Sequence, residues 1–184
     1  MAKPKKRVIE CRNYELPLTF PILLLTGERW HISDVPSGKL HFHNCMEIGI
    51  CHTDSGILEF DGERHPFLAG DITCIARNIP HTTYSDPGQA SLWSYLFFSP
   101  AELLHGYFAD SFPHADIFRS MTEEARMILH REEHPELWLL ASEIMRELTR
   151  KPMNYQLSVR GLFLALMMKL MRIYAGRLKR EQAP

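Results

Sequence analysis

The sequence is poor in cysteine, carries almost no net charge and has no long uninterrupted apolar run, and each shortage removes a class of protein. Its four cysteines, Cys11, Cys45, Cys51 and Cys74, have neither CxxC spacing nor the density of a disulfide scaffold. They read as free, buried thiols. A formal net charge of −1 at pH 7 supplies no basic face to neutralise phosphates, and no helix-turn-helix pattern is present. The residues in hand therefore do not grip DNA themselves. The basic run Lys3-Pro4-Lys5-Lys6-Arg7 reads as a solvated terminal arm. The longest apolar helical stretch, Leu157 to Tyr174, contains Arg160, Lys169 and Arg172, which argues against a membrane span. No secretory signal is expected either, because Val8-Ile9-Glu10-Cys11-Arg12 breaks any apolar segment after the basic start. A cytoplasmic address without a membrane partner is expected.

What is present begins with His41-Phe42-His43-Asn44-Cys45-Met46-Glu47, answered by Ile79-Pro80-His81. Neutral imidazoles and a carboxylate suit Zn, Ni, Fe or Mn, and two histidines one residue apart on a strand share a face. On one straight strand His41 and Glu47 would lie roughly 20 Å apart, far beyond the ~4 Å that two ligands of one ion span. A turn at Asn44-Cys45-Met46 is therefore expected, with His81 arriving from a third segment. The metal candidates are His41, His43, Glu47 and His81. The same four side chains can also form a hydrogen-bonding floor for an organic ligand with no metal. Cys45 reads as a small apolar residue of the turn, and His31, His52 and His65 have no spacing partner.

With 184 residues, 45% of them hydrophobic and 23% charged, the chain can bury one real core. After an apolar stretch from Leu16 to Leu25, and a strand beginning at Trp30, the text from Leu40 to Phe98 is short strands with regular turns. Asp54-Ser55-Gly56, Asp61-Gly62, Ala69-Gly70-Asp71, Asn78-Ile79-Pro80 and Asp86-Pro87-Gly88 punctuate it, as an antiparallel barrel requires. Asp61-Gly62 predicts a type I′ hairpin. In Ser91 to Phe98, positions 93, 95 and 97 share one face, so Trp93 and Tyr95 are candidates for stacking on a flat ligand, or for plain core.

The last third turns helical. Ser99-Pro100-Ala101-Glu102 reads as a capping box opening a short helix to about Phe108. Longer amphipathic helices are predicted over roughly Pro135 to Arg150 and Tyr155 to Leu178. The second carries Leu162, Phe163, Leu166, Met167, Leu170 and Tyr174 on one broad stripe, available to the barrel, a neighbouring helix or a second chain.

Taken together, the HxHxxxE spacing, Gly56, Asp61-Gly62, the stretch Leu68 to His81 and the strand ending Ser99-Pro100 resemble a cupin barrel. More narrowly they resemble the N-terminal ligand-sensing domain of AraC-type bacterial transcription regulators. The resemblance covers roughly 20–100 by motif and 100–178 by helix layout. The second cupin motif is degenerate, with Ala76 and Asn78 where the family has Pro and Gly. The implied fold class is mainly β with C-terminal α, a jelly-roll barrel followed by one short and two longer helices. The implied layout is an arm over 1–15, an effector barrel over 16–99 and a helical dimerisation region over 100–184.

The resemblance further implies no catalytic residue and a small effector, sugar-like, held by Trp30, His41, His43, Trp93 and Tyr95. It also implies a homodimer through Leu162, Phe163, Leu166 and Leu170, and DNA control through a helix-turn-helix domain C-terminal to this chain. On that reading the chain is a sensor fragment. The alternative is a stand-alone metal-dependent cupin enzyme, a dioxygenase or sugar isomerase.

Overall fold

The computed structural model describes residues 8–106 and 113–181. In chain order it builds β1 (Val8–Arg12), β2 (Ile22–Leu25), β3 (His31–Ile32), β4 (Lys39–His43), β5 (Met46–Cys51), β6 (Ser55–Phe60) and β7 (Glu63–Leu68). Then follow β8 (Ile72–Ile75), β9 (His81–Ser85), β10 (Ser91–Phe98), α1 (Pro100–Leu103), α2 (Ala115–Glu124), β11 (Arg126–Leu129), α3 (Pro135–Arg150) and α4 (Tyr155–Glu181). The basic run Lys3–Arg7 and the expected helix end near Phe108 lie outside the described residues.

Two sheets make the barrel, one in the order β1-β4-β9-β6-β7 and the other β11-β8-β5-β10-β2. Rings meet between them, His43 with Phe97 at 4.8 Å and Phe67 with Trp93 at 4.8 Å between centroids. This is the jelly-roll, cupin-type barrel with C-terminal helices that the family resemblance implies. At the β6–β7 corner Asp61 and Gly62 have φ of 48° and 96°. Both being positive is the type I′ condition, so this hairpin forms as expected.

Strand alternation assigns the two faces of the second sheet. Glu47, Gly49 and Cys51 of β5 pair in register with Phe97, Tyr95 and Trp93 of β10, and these side chains point into the barrel. Ile48, Ile50, Leu96 and Phe98 point the other way and are equally buried, because α3 and α4 cover that outer face. Phe98 meets Phe163 of α4 edge-on at 4.4 Å. Arg160 donates to the Leu103 and Thr19 carbonyls, both at 3.1 Å, and Arg177 to the Ile128 carbonyl at 3.0 Å. Helix α4 is thus stapled to the barrel near both ends.

Several expectations change here. Ser99 precedes α1 in extended geometry but makes no side-chain cap bond, so the capping box does not form. The strand expected at Trp30 is a 3-10 turn over Glu28–Trp30, with β3 following it. The region after residue 100 is not purely helical. Strand β11 pairs with β8 and completes the barrel's second sheet, and α2 precedes it. The arm over 1–15 contains β1, which lies parallel to β4 with Glu10 opposite His41 and Arg12 opposite His43. Cys11 is exposed rather than buried, whereas Cys45, Cys51 and Cys74 are buried as free thiols. Burial pushes each of these three up to about 12, which leaves them protonated and inert as ligands or nucleophiles.

The dimer stripe also moves. Phe163, Leu166 and Leu170 are fully buried within the single chain, at 0% exposure each, so their side chains are covered before any second copy could meet them. Leu162 is only partly covered.

Candidate functional site

The corner Asn44–Cys45 carries the chain from β4 in one sheet to β5 in the other, so the two halves of the histidine motif face each other across the barrel. His41 pairs with His81 on the neighbouring strand β9. The ring nitrogens of His41, His43 and His81 all approach within 4.8 Å of one another. Glu47 enters from the opposite sheet, with Oε2 2.9 Å from His43 Nε2 and 3.7 Å from His81 Nε2. The three predicted histidines therefore converge, with Glu47 set against His43 and His81.

Their protonation follows from their partners. His81 Nδ1 lies 2.8 Å from the Ile79 carbonyl, which can only accept, so that nitrogen carries the proton. Nε2 is thereby presented to Glu47 and the cavity. His43 is 3% exposed, yet neither of its ring nitrogens makes a well-directed hydrogen bond, despite the short approach to Glu47. Burial alone would raise the Glu47 carboxyl, but the adjacent His43 and His81 rings hold it below the usual carboxylate range. Burial first, then the neighbouring His81 and Arg12, lower His41 to about 2, so it is a neutral imidazole.

A neutral imidazole, a histidine with its far nitrogen fixed by a carbonyl, a buried imidazole without directed partners and an anionic carboxylate suit a divalent transition metal. His41, His43, His81 and Glu47 would hold it. When bound, such an ion supplies Lewis acidity and positive charge at the cavity floor.

Above the histidines is a cavity of about 150 Å³ whose lining includes Arg12, Tyr14, Trp30, Thr83, Tyr95 and Phe97. Tyr14 stacks on Phe97 at 4.0 Å and sits 5.2 Å from His43. It is fixed by reciprocal bonds with Asn44: the Tyr14 N–H donates to Oδ1 at 2.8 Å, and Asn44 Nδ2 donates to the Tyr14 carbonyl at 3.0 Å. Trp30 meets Tyr95 edge-on at 5.9 Å.

Of the expected effector contacts, Trp30, His41, His43 and Tyr95 line this cavity. Trp93 does not. It lies one layer behind, stacked on Tyr95 at 5.7 Å, 1% exposed, with its indole N–H donated to Ser91 Oγ at 2.9 Å. Its ring fills the space over Gly49, where a Cβ would come within 3.1 Å of it. Arg12, Tyr14 and Phe97 are cavity residues that motif reading did not find. Phe97 was on the aromatic face by parity, but Arg12 and Tyr14 belong to a segment without any pattern. The histidines without spacing partners stay outside, as His31 bonds the Glu28 carbonyl and His52 bonds Ser94.

A larger cavity of about 440 Å³ lies between the barrel and α2, lined by Asn44, Arg77, Phe98, Phe118 and Arg119 among others. None of the four convergent motif residues reaches it. The smaller cavity is the better candidate because the chemistry is there.

Residues 24–171 match the family model described as the AraC-like ligand binding domain. Among solved structures, apo ToxT K231A from Vibrio cholerae strain SCE256 aligns with a TM-score of 0.55 and 13% identity, over 88% of this chain and 59% of that chain. ToxT from Vibrio cholerae O395, bound to (E)-4-(8-methylnaphthalen-1-yl)but-3-enoic acid, aligns with a TM-score of 0.51 and 12% identity, over 83% and 56%. The AraC-like transcriptional activator CuxR aligns with a TM-score of 0.43 and 16% identity, over 68% and 42%. The chain thus spans about half the length of the regulators it matches. No curated protein matches it.

Proposed function

Because the chain belongs to the AraC-like ligand-binding domain family, with 24–171 inside the family's bounds, we propose that it senses a small effector in the histidine-floored cavity and passes that signal to an attached DNA-binding domain. The observation that carries the reading is the convergence of His41, His43, His81 and Glu47 beneath aromatic walls at Tyr14, Trp30, Tyr95 and Phe97. A divalent transition metal, Zn, Ni, Fe or Mn, would be held by the four floor residues, where it would supply Lewis acidity and positive charge beneath the effector. The walls give a flat body surfaces to stack on, and sugar size fits the small volume.

Signal transfer runs through β1 and β5. Arg12 and Tyr14 touch the cavity from the arm, and β5 carries Glu47 on its inner face while its outer face packs under α3 and α4. An occupant that contacts the arm and Glu47 biases both.

The dimer reading shifts to the face of α4 turned away from the barrel. Leu157 is 67% exposed, and Leu164, Met168 and Met171 are only partly covered, at spacings of seven, four and three. Gly161, also exposed, sits between the first two. A 3-and-4 alternation of apolar and small residues along one helix is the pattern of a helix-to-helix seam. Two copies meeting there would present paired DNA-binding domains to paired half-sites.

Amide shift mapping with a metabolite library tests the sensing function. Effectors should move the resonances of Tyr14, Trp30 and His81 together, and hits clustered away from these would contradict it.

A metal-dependent cupin enzyme is the second reading, favoured by the same four convergent side chains. Steady consumption of a bound compound by the purified protein would promote it over the sensor.

A further inference from the structure

Besides the His43 ring nitrogens of the floor, the cavity lining holds donors that no acceptor among the described residues meets. Trp30 Nε1 is buried with no hydrogen-bond partner, on a residue that lines the cavity. Arg12 reaches the cavity from β1, in register with His43, and its charge is felt at His41, Tyr14 and Tyr95. Among the described residues it has no ion-pair partner. Glu47 is the acidic side chain in the lining, and its carboxylate is turned to His43 and His81. A buried N–H without an acceptor is costly to leave unmatched, and the exposed Arg12 guanidinium lines the same cavity with its fork open to an anion, so an occupant carrying an acceptor-rich group fits there.

A sugar answers this poorly. Each hydroxyl brings a donor that finds no use at the Trp30 N–H and the Arg12 guanidinium, and the Glu47 carboxylate is already turned to His43 and His81. A carboxylate brings two oxygens, several lone pairs and no donor, and its plane matches the guanidinium fork. The remaining walls are flat and aromatic, with Tyr14 stacked on Phe97 and Trp30 edge-on to Tyr95. At about 150 Å³ the cavity is smaller than a drug-sized site of ~300–1,000 Å³.

We propose that the effector is a small, flat monocarboxylic acid, its carboxylate held between the Arg12 guanidinium and the Trp30 indole N–H and its body against Tyr14, Tyr95 and Phe97. This rests on the reading of the cavity as the effector site, and it replaces the sugar expected from family resemblance. Arg12 and Trp30 are then the specificity-determining residues. Arg12 lies on the arm, so acid binding also draws β1 onto the barrel mouth.

The test is calorimetric titration of the purified protein with benzoate, its neutral isostere benzamide and the neutral pentose ribose, repeated on Arg12→Gln, Arg12→Lys and Trp30→Phe. Arg12 is exposed on an edge strand, so its variants should fold as the parent does. Benzoate should bind and benzamide should not, by at least roughly tenfold, the scale of one charge-assisted hydrogen bond. Arg12→Gln should weaken benzoate roughly 10- to 100-fold, with Arg12→Lys in between because it keeps the charge but loses the fork. Trp30→Phe should weaken it several-fold while keeping the ring.

Equal affinity for benzoate and benzamide, or benzoate binding untouched by Arg12→Gln, would overturn the proposal. Ribose binding without benzoate binding would overturn the acid class while leaving the sensor reading intact. No binding of any of the three, together with a blank metabolite screen, would overturn both.

Discussion

His43 Nε2 and Glu47 Oε2 stand 2.9 Å apart across the barrel, each on a side chain that is at least 95% buried, and they join the two sheets at the cavity floor. A carboxylate this deep is stable only with its partners. Replacing it leaves His43 and His81 without their anion.

Glu47→Gln should therefore lower stability by about 1–3 kcal/mol in metal-free protein, seen as a lower denaturant midpoint. It should also weaken binding of an added divalent metal by roughly 10- to 100-fold. An unchanged midpoint and unchanged metal affinity would show that the contact is incidental.

The two faces of α4 predict opposite outcomes. Leu166→Arg places a charge among fully buried groups and should destabilise by more than ~3 kcal/mol, giving a poorly folded protein at any concentration. Leu157→Glu with Met168→Glu should leave the thermal midpoint nearly unchanged and convert dimer to monomer in sedimentation. A dimer that survives the double substitution would place the interface elsewhere.

Asn44→Ala removes both bonds that hold Tyr14 beside the cavity. The arm should then open more often, and tryptic cleavage after Arg12 should accelerate roughly tenfold, the scale of one to two lost hydrogen bonds. Circular dichroism should show the barrel intact. Cleavage at the parent rate would mean that the pairing of β1 with β4 holds the arm without help.

Thiol labelling under native conditions at pH 8 should modify Cys11 quickly and Cys45, Cys51 and Cys74 only on unfolding. The first is exposed, while burial holds the other three protonated. Fast labelling of more than one thiol in folded protein would contradict this packing.

The barrel and its histidine floor were legible because they rest on short-range rules. Histidines at i and i+2 share a strand face, Asp-Gly forces positive φ, and Asn44-Cys45 must turn if His41 and Glu47 are to meet. The bounds of α3, Pro135–Arg150, were equally plain from its apolar period. What stayed hidden depends on pairing between distant segments. Strand β11 is four residues long and becomes a strand by bonding to β8. Nothing in Arg12 or Tyr14 announces a cavity until β1 lies against β4. Trp93 had the right parity for a ligand platform, but parity does not say how deep along the barrel a side chain sits, and Gly49 and Ser91 draw it into the core. The stripe on α4 was real, yet partners within the same chain competed with a second copy for it, and they cover Phe163, Leu166 and Leu170.

The most direct test of the account is elemental analysis of tag-free protein, parent beside the His43→Ala and His81→Ala double variant. The account predicts close to one equivalent of Zn, Ni, Fe or Mn in the parent and none in the variant, with the barrel still folded by circular dichroism. A parent that stays metal-free after incubation with each ion, or a double variant that keeps a full equivalent, would contradict it.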